Sequence, residues 1–306
     1  DATKGWIPLD DDVAAFEPVA PPTQKAIFAY GGGTVTNLSN LVSSSGVVAS
    51  DTTGVGTARN QLAAAGYGED KAIFGYGDTG SYTAITNLVN NSGVVASDTA
   101  GVGTARINLA ATTYGTDKVI FGYGDNGSNV SLTNLVSNSG VVASDTTGVG
   151  TARDQIAAAG YGSTGQALFG YGNTGAGFLS VTNLISNSGV VSADTAGVGT
   201  TRSFLSATAY GADKAIFGYG NNGSNLSMTN LVSNTGVVGS DVSGVGTARH
   251  ALSASRYGGD KGIFGFGISA TAITNLVSNV GVVAADTAGV GTVRGYIASA
   301  GYSTSA

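Results

Sequence analysis

One nine-residue segment occurs six times in this chain with small changes, and no other feature limits the architecture as strongly. Its third copy reads Asp145-Thr-Thr-Gly-Val-Gly-Thr-Ala-Arg153. A phenylalanine keeps the same period, with intervals of 46, 47, 48, 48 and 47 residues, at Phe28, Phe74, Phe121, Phe169, Phe217 and Phe264. The chain is therefore six copies of one unit of about 47 residues, and one copy cannot bury its own apolar face.

The composition bounds what these units can do. Of 306 residues, 50 are glycine and only 10% are charged, so turns are many and Ser, Thr and Asn must keep the surface in water. The absence of cysteine rules out disulfides and thiolate chemistry. No apolar run reaches the about 18 residues that a membrane-spanning helix needs. The chain begins without Met and without a signal-like segment, so we expect a processed form or a fragment.

The charge is low and uneven. The net charge is −6, and residues 1–24 contribute −4 of it through five acidic residues and one lysine. The remaining, nearly neutral part lacks the basic surface that phosphate recognition requires. We therefore expect neither nucleic acid nor a membrane among the partners.

The third unit illustrates the strand pattern. Residues 118–124 form an apolar and aromatic run bounded by glycine, and residues 129–136 alternate polar and apolar side chains. Residues 141–144 are a third short strand, and residues 154–161 a fourth run of small residues. Propensity alone would make the fourth run a helix, which leaves a strand–helix solenoid as an alternative. The run is short for a helix, however, and small residues suit the crowded axis of a propeller.

Four short strands in each of six units are typical of an all-β, six-bladed β-propeller. The order Arg-x-x-Leu-Ala-Ala-Ala, Tyr-Gly-x-Asp-Lys-Ala-Ile-Phe-Gly-Tyr-Gly and Thr-Asn-Leu-Val resembles the kelch repeat across residues 25–302. It departs from the kelch pattern where Gly-Tyr-Gly replaces the Gly-Gly pair and where the late tryptophan is missing. The resemblance implies a propeller over residues 25–306, preceded by an extended arm over residues 1–24.

The order of the runs predicts how this propeller closes. The array opens on the second strand type at residues 25–28 and ends on the first type at residues 295–302. We expect the last strand to complete the blade that the first strand begins, which would cover both sheet edges.

The arm carries all four prolines and the only tryptophan, so it is extended and lies outside the repeats. One interpretation is a linker lying on the body. The other is a docking arm that inserts apolar side chains into a partner, since a lone Trp in a segment without its own core favours anchoring. The candidate docking residues are Trp6, Ile7, Leu9, Val13 and Phe16.

The repeated charges are interpreted as structural Asp/Arg pairs, because six identical pairs around an axis indicate architecture. They are Asp51 and Arg59, Asp98 and Arg106, Asp145 and Arg153, Asp194 and Arg202, Asp241 and Arg249, and Asp286 and Arg294. The intervening Gly-x-Gly lacks the Lys-Ser/Thr of a phosphate loop. The only histidine, His250, stands where other units have Asn60, Ile107, Asp154, Ser203 and Gly295. Without a second His or a Cys, it predicts no metal site and no catalytic triad.

The loop after Gly-Tyr-Gly differs from unit to unit, so it is the better candidate for recognition. It contains two aromatic residues, Tyr82 and Phe178, which we expect to contact a sugar or a protein if they do not simply cap the rim.

The repeats also resemble Gly/Thr/Asn-rich arrays in structural proteins of tailed bacteriophages. This resemblance implies a non-enzymatic structural or attachment protein of a virion (tail, fibre or capsid-associated), docked to other virion proteins through its arm. The alternative is a carbohydrate-binding propeller of a bacterial surface or secreted protein. Either way we expect a virion or extracellular location, no cofactor, no metal and no catalytic residue.

Overall fold

The computed structural model describes residues 23–268 and 272–306, and within these ranges all regular structure is β-strand. Eighteen strands form six antiparallel sheets of three strands each, consistent with a six-blade, propeller-like arrangement. The all-β prediction is thus confirmed. The strand–helix alternative is wrong, because the small-residue run is a strand in every unit.

Each sheet contains an inner, a middle and an outer strand. The inner strands are β3 (Ala63–Tyr67), β6 (Ala110–Tyr114), β9 (Ala157–Tyr161), β12 (Ser206–Tyr210), β15 (Ser253–Tyr257) and β18 (Ala298–Tyr302). The middle strands are β1 (Lys25–Ala29), β4 (Lys71–Gly75), β7 (Lys118–Gly122), β10 (Gln166–Asn173), β13 (Lys214–Asn221) and β16 (Lys261–Gly265). The outer strands are β2 (Ser39–Val42), β5 (Thr86–Val89), β8 (Thr133–Val136), β11 (Phe178–Ile185), β14 (Asn225–Val232) and β17 (Thr274–Val277).

One sheet combines the two ends of the described chain. Its order is β18-β1-β2, and β18 pairs antiparallel with β1, with Phe28 opposite Ser299. The other five sheets are each built from consecutive strands. Inner strands of successive sheets contact each other, and β18 contacts both β15 and β3.

The predicted third strand of each unit is not a regular strand. Residues 142–146 lie beside β8 but form only isolated bridges, Val136 with Val142 and Thr133 with Thr146. Five residues therefore face four, which is the geometry of a bulge. The Asn134 side chain fills the gap, since its Nδ2 donates to the carbonyl oxygen of Ala143 (3.0 Å). The predicted count of four strands per sheet is accordingly not confirmed.

Aromatic rings join neighbouring sheets. Phe121 of β7 packs edge-on against Tyr76 of the preceding sheet, with ring centroids 5.1 Å apart, and Phe169 repeats this contact with Tyr123. Five of the six phenylalanines fit because the preceding middle strand has glycine opposite the ring, and Ala29 takes this position before Phe74. A Cβ on Gly122 would lie 2.5 Å from Cζ of Phe169. The Phe-Gly-Tyr order thus encodes sheet-to-sheet packing.

Strand direction defines two ends of the body. The loop end holds the nine-residue segments and the variable loops, and the turn end holds the tight turns between inner and middle strands. Gln24 lies at the turn end, where its N–H donates to the Ser303 carbonyl. The N–H groups of Gly258 and Gly259 donate to the carbonyls of Gln24 and Thr23. The described chain therefore enters and leaves the body at the turn end.

We predict that Gly122→Ala lowers the free energy of unfolding by about 1–3 kcal/mol, because the added methyl group overpacks the Phe169 contact. Gly177→Ala is the control, since a Cβ there meets no atom within 4 Å and its backbone needs no left-handed conformation. Urea denaturation measures both. Equal stability of the two variants would contradict this account of the packing.

Candidate functional site

Six buried arginines form the invariant part of the structure. Arg106 is fully buried, and its guanidinium lies 4.4 Å from the ring centre of Tyr76. Its Nε donates to the Tyr123 carbonyl (2.9 Å), one terminal nitrogen donates to the Thr104 carbonyl (3.0 Å), and the other donates to Oδ1 of Asn134 (2.6 Å). We call this cluster an Arg node. The node provides an acceptor for each nitrogen of the planar guanidinium. A lysine ammonium could not reach all three acceptors from one position.

Each node also holds the Asp of the following motif and not the Asp of its own. Asp145 lies 3.8 Å from Arg106 and accepts hydrogen bonds from the N–H and the hydroxyl of Thr104 and from Nδ2 of Asn134. A node therefore spans two consecutive units, since Tyr76, Thr104 and Arg106 belong to one and Tyr123, Asn134 and Asp145 to the next. The six nodes centre on Arg59 with Asp98, Arg106 with Asp145, Arg153 with Asp194, Arg202 with Asp241, Arg249 with Asp286, and Arg294 with Asp51.

The sixth node differs from the others. Arg294 lies over Phe266 where the other five arginines lie over tyrosine, with 4.6 Å between guanidinium and ring centre. Its Nε is buried without a hydrogen-bond partner among the described residues. Its ion pair with Asp51 is shorter, at 3.4 Å, and this carboxylate comes from the first unit.

The surroundings of the nodes shift pKa values in opposite directions. Burial raises the pKa of Tyr76 to about 12, so its hydroxyl stays protonated and donates to the Val102 carbonyl. Burial alone would raise the pKa of Asp145 as well. Hydrogen bonds from Thr104 and Asn134 outweigh burial and hold the Asp145 pKa below its usual 3.8. The other five node aspartates behave in the same way.

We predict that Arg106→Lys lowers the free energy of unfolding by about 2–4 kcal/mol, because the ammonium cannot make the three directed hydrogen bonds and leaves buried acceptors unpaired. The control is Lys118→Ala, which removes an exposed pair with Asp117 and should change stability by less than about 0.5 kcal/mol. Chemical denaturation of both variants decides the matter. A loss of similar size in both would refute a structural role for the node.

We also predict an acid-sensitive fold. The node aspartates have lowered pKa values when folded, so their contribution is complete above the ordinary value of 3.8 and is lost as the pH falls through the lower folded values. Unfolding free energy measured from pH 7 to pH 2 should therefore drop below about pH 4. Asp145→Asn should show a shallower drop because it titrates one group fewer. A flat profile in the parent chain would contradict the assignment.

A second feature lies two residues after each Arg. Here the backbone takes a left-handed conformation, with φ between 50° and 55°, at Gln61, Asn108, Gln155, Phe204, Ala251 and Tyr296. The N–H of each residue donates to the carbonyl of its counterpart in the preceding unit at 2.8–3.1 Å, and Gln61 donates to Tyr296. The six bonds form a cycle, which we call the axial ring.

Backbone strain and sequence variation coincide at the axial ring. The aromatic position of the nodes is also left-handed, but it holds tyrosine in five units and phenylalanine in one. Left-handed conformations are unfavourable for residues other than glycine, and such strain persists where the surrounding structure holds it, often at functional sites. None of the six positions is glycine, and five different side chains occupy them. The neighbouring units are otherwise close copies.

The side chains divide the ring into two halves. Gln61, Asn108 and Gln155 follow one another around it, and Phe204, Ala251 and Tyr296 complete it. The polar half contains Asp154, a buried carboxylate whose Oδ2 accepts hydrogen bonds from Asn108 Nδ2 and Gln155 Nε2, both at 3.1 Å. Burial raises the Asp154 pKa, and the charge of Asp125 adds a smaller contribution in the same direction.

The other half is aromatic. Phe204 meets Tyr296 edge-to-face at 5.4 Å and lies 5.8 Å from the His250 ring. Nδ1 of His250 is hydrogen-bonded to Oδ1 of Asn225 at 2.8 Å. Burial lowers the His250 pKa, so the imidazole is neutral at pH 7. His250 is thus a packed, half-buried residue beside the ring.

The variable loops border the axial ring. The first loop residue pairs with the residue after the Arg, as Asp125 does with Ile107 and Asn173 with Asp154. Tyr82 is 42% exposed and lies beside Asp125 of the next loop. Phe178 is the first residue of β11 and is partly buried, so it belongs to the strand and not to the loop as predicted.

The remaining predicted residues fall outside this region. Trp6, Ile7, Leu9, Val13 and Phe16 lie outside the described residues. The six ring residues were not predicted from the sequence. The sequence does contain a signal for them. When the six units are aligned, the position immediately after His250 and its equivalents varies, although the residues before it are nearly the same in every unit.

No protein-family model matches this chain, and no curated protein is significantly similar to it. In the described part of the chain, no helix is long and apolar enough to cross a membrane. No group of three or more His, Cys, Asp or Glu side chains within residues 23–268 and 272–306 is arranged to hold a metal ion.

Proposed function

We propose that the chain is a kelch-like, six-bladed β-propeller whose C-terminal strand closes the ring. Support comes from the pairing of β18 with β1 and from the cyclic bonds of the axial ring. A second cycle at the turn end links each inner–middle turn to the next, from the Gly68 N–H to the Asp117 carbonyl and onward to the Ser303 N–H and the Asp70 carbonyl. The bulged segment outside each outer strand would take the place of the fourth kelch strand.

The function we propose is that of a non-enzymatic structural or attachment protein of a virion or of a bacterial surface. One observation carries this proposal: the described chain enters near Gln24 and leaves near Ser303 at the turn end of the body, whereas the axial ring and the variable loops lie at the loop end. A protein anchored through residues 1–24 would then point its axial ring away from its support. The repeated Arg nodes would supply rigidity, and the axial ring would supply recognition.

The ring gives the carbohydrate-binding alternative a specific basis. Amides and one carboxylate occupy half of it, and aromatic rings occupy the other half. Ligand sites generally combine apolar walls with a few placed polar groups. Attachment and sugar binding are compatible in this arrangement, since the arm would hold the protein and the ring would bind the target.

The attachment proposal predicts that residues 1–24 contact a different chain in the native assembly. Electron microscopy of that assembly should show Trp6 and Phe16 buried against a neighbouring protein. The double variant Trp6→Ser and Phe16→Ser should lose incorporation, measured by mass spectrometry of purified particles. Tyr82→Ala at the loop end is the control and should be incorporated normally. An arm packed on its own body, or equal incorporation of all forms, would overturn the proposal.

A further inference from the structure

We propose that the axial ring is a binding site for a neutral saccharide, with Asp154, Asn108 and Gln155 binding hydroxyl groups and Phe204 and Tyr296 packing against the sugar ring. This inference deepens the proposed function and rests on it, since it names the ligand class and the residues of the recognition face.

The first argument is the asymmetry of the ring. A feature that is repeated in all six units, such as the Arg node, is accounted for by the packing of the units. The ring residues instead form one polar arc and one aromatic arc, although the same backbone bonds hold all six. Packing of the ring does not require this division. A ligand with one polar edge and one apolar face would use it.

The second argument is the chemistry of the polar arc. Asn108 and Gln155 both donate to the same oxygen of Asp154, so their amides are aligned and neither engages Oδ1. Nearby, Asn60 donates through Nδ2 to the Gly32 carbonyl, while its buried Oδ1 has no partner among the described residues. A carboxylate and amides offer both acceptors and donors, and vicinal hydroxyl groups need both. The Asn60 oxygen is itself enclosed by protein, so the hydroxyl contacts are assigned to Asp154, Asn108 and Gln155.

The third argument is the charge. The arginines nearest the ring are enclosed in their nodes, where Arg153 and Arg202 are fully buried over Tyr123 and Tyr171. The ring region itself carries Asp154 and neighbouring Asp125. Negative charge without an accessible cation disfavours phosphates and other anions. A neutral ligand that donates hydrogen bonds fits this field.

The fourth argument is the aromatic arc and the space beside it. Phe204 and Tyr296 are only partly buried, so they retain accessible surface. Beyond His250, a cleft of about 350 Å³ lies at the loop end and includes Asn225, Ser227 and Asp241 in its lining. No ring residue lines this open groove, but Asn225 connects it to His250, so an oligomer bound at the ring would extend toward it.

The test uses the full chain with glucose, galactose, mannose, N-acetylglucosamine and their short oligomers. Binding is measured by saturation-transfer NMR and isothermal titration calorimetry. We expect at least one of these saccharides to bind, with the oligomer tighter than the monomer. Asp154→Asn, Gln155→Ala and Phe204→Ala should each weaken binding at least about tenfold, the loss expected when one polar or stacking partner leaves a site. Asp117→Asn at the turn end is the matched carboxylate control and should change binding by less than about twofold.

Several results would overturn the inference. No binding by any of these saccharides would remove the ligand class. Loss of binding in Tyr82→Ala, with Phe204→Ala unchanged, would move the site to the loops. Binding of tetramethylammonium in place of sugar would make the ring a cation site. The thermal unfolding midpoint of each variant is also measured. If one variant does not fold, the other two still test the inference.

The same samples separate this inference from the proposed function. Release of new reducing ends from an oligosaccharide would show a catalytic site, which would overturn the non-enzymatic proposal while keeping the ring as the saccharide site. Sugar binding together with an arm that contacts no other chain would remove the attachment proposal and leave the ring assignment standing.

Discussion

The structure depends on a guanidinium group that is buried and yet hydrogen-bonded through all three nitrogens in five of its six copies. A buried charge is tolerated only when partners replace its lost hydration. Arg106 obtains two backbone carbonyls, one amide oxygen, an aromatic face and a nearby carboxylate, and these come from two consecutive units. Since no unit can complete a node alone, the requirement to satisfy each arginine also positions each sheet against its neighbours. A chain with only 10% charged residues thus uses six of its few charges inside the body.

This constraint also explains where variation is tolerated. The positions that touch a node are repeated almost without change, and Gly103, with φ of 80°, passes so close to Asp145 and Asn134 that a side chain would collide with them. Two residues beyond each arginine the side chain no longer contributes to a node. The backbone there is fixed by its neighbours in the axial ring, whereas the side chain is not. Under our proposal, stability depends on the arginine, and recognition depends on the residue two positions after it.

Much of this architecture follows from the sequence. Periodicity gave the number of units and the strand class, and the small-residue runs proved to be the inner strands. The bulged segment was harder, because Val141 and Val142 have the propensity of a strand while the Asn134 side chain interrupts the ladder from outside that segment. The partner of each Asp was equally hard to predict. Proximity in sequence suggests the Arg eight residues later, whereas in the structure each Asp lies beside the Arg of the previous motif.

The candidate site was only half visible. The variable loops and the position of His250 in the repeat could be identified from the sequence, and both border the ring. Periodicity analysis finds what is the same, so the six ring residues, which share a backbone conformation but not a side chain, escaped it. Their left-handed conformation has no signal in non-glycine residues such as Gln155 or Tyr296.

The pairing of β18 with β1 has a consequence for how the chain folds during synthesis. Phe28 and Ser299 are opposite each other but 271 residues apart, whereas each of the other five sheets is built from three consecutive strands. Until the last strand leaves the ribosome, β1 and β2 form a two-stranded hairpin, which is marginally stable in water. The unit made first is therefore completed last, and the edge of β1 stays open to pairing with other chains until then. A translational pause or truncation near the C-terminus would expose this edge, so assembly errors should begin at the oldest part of the chain.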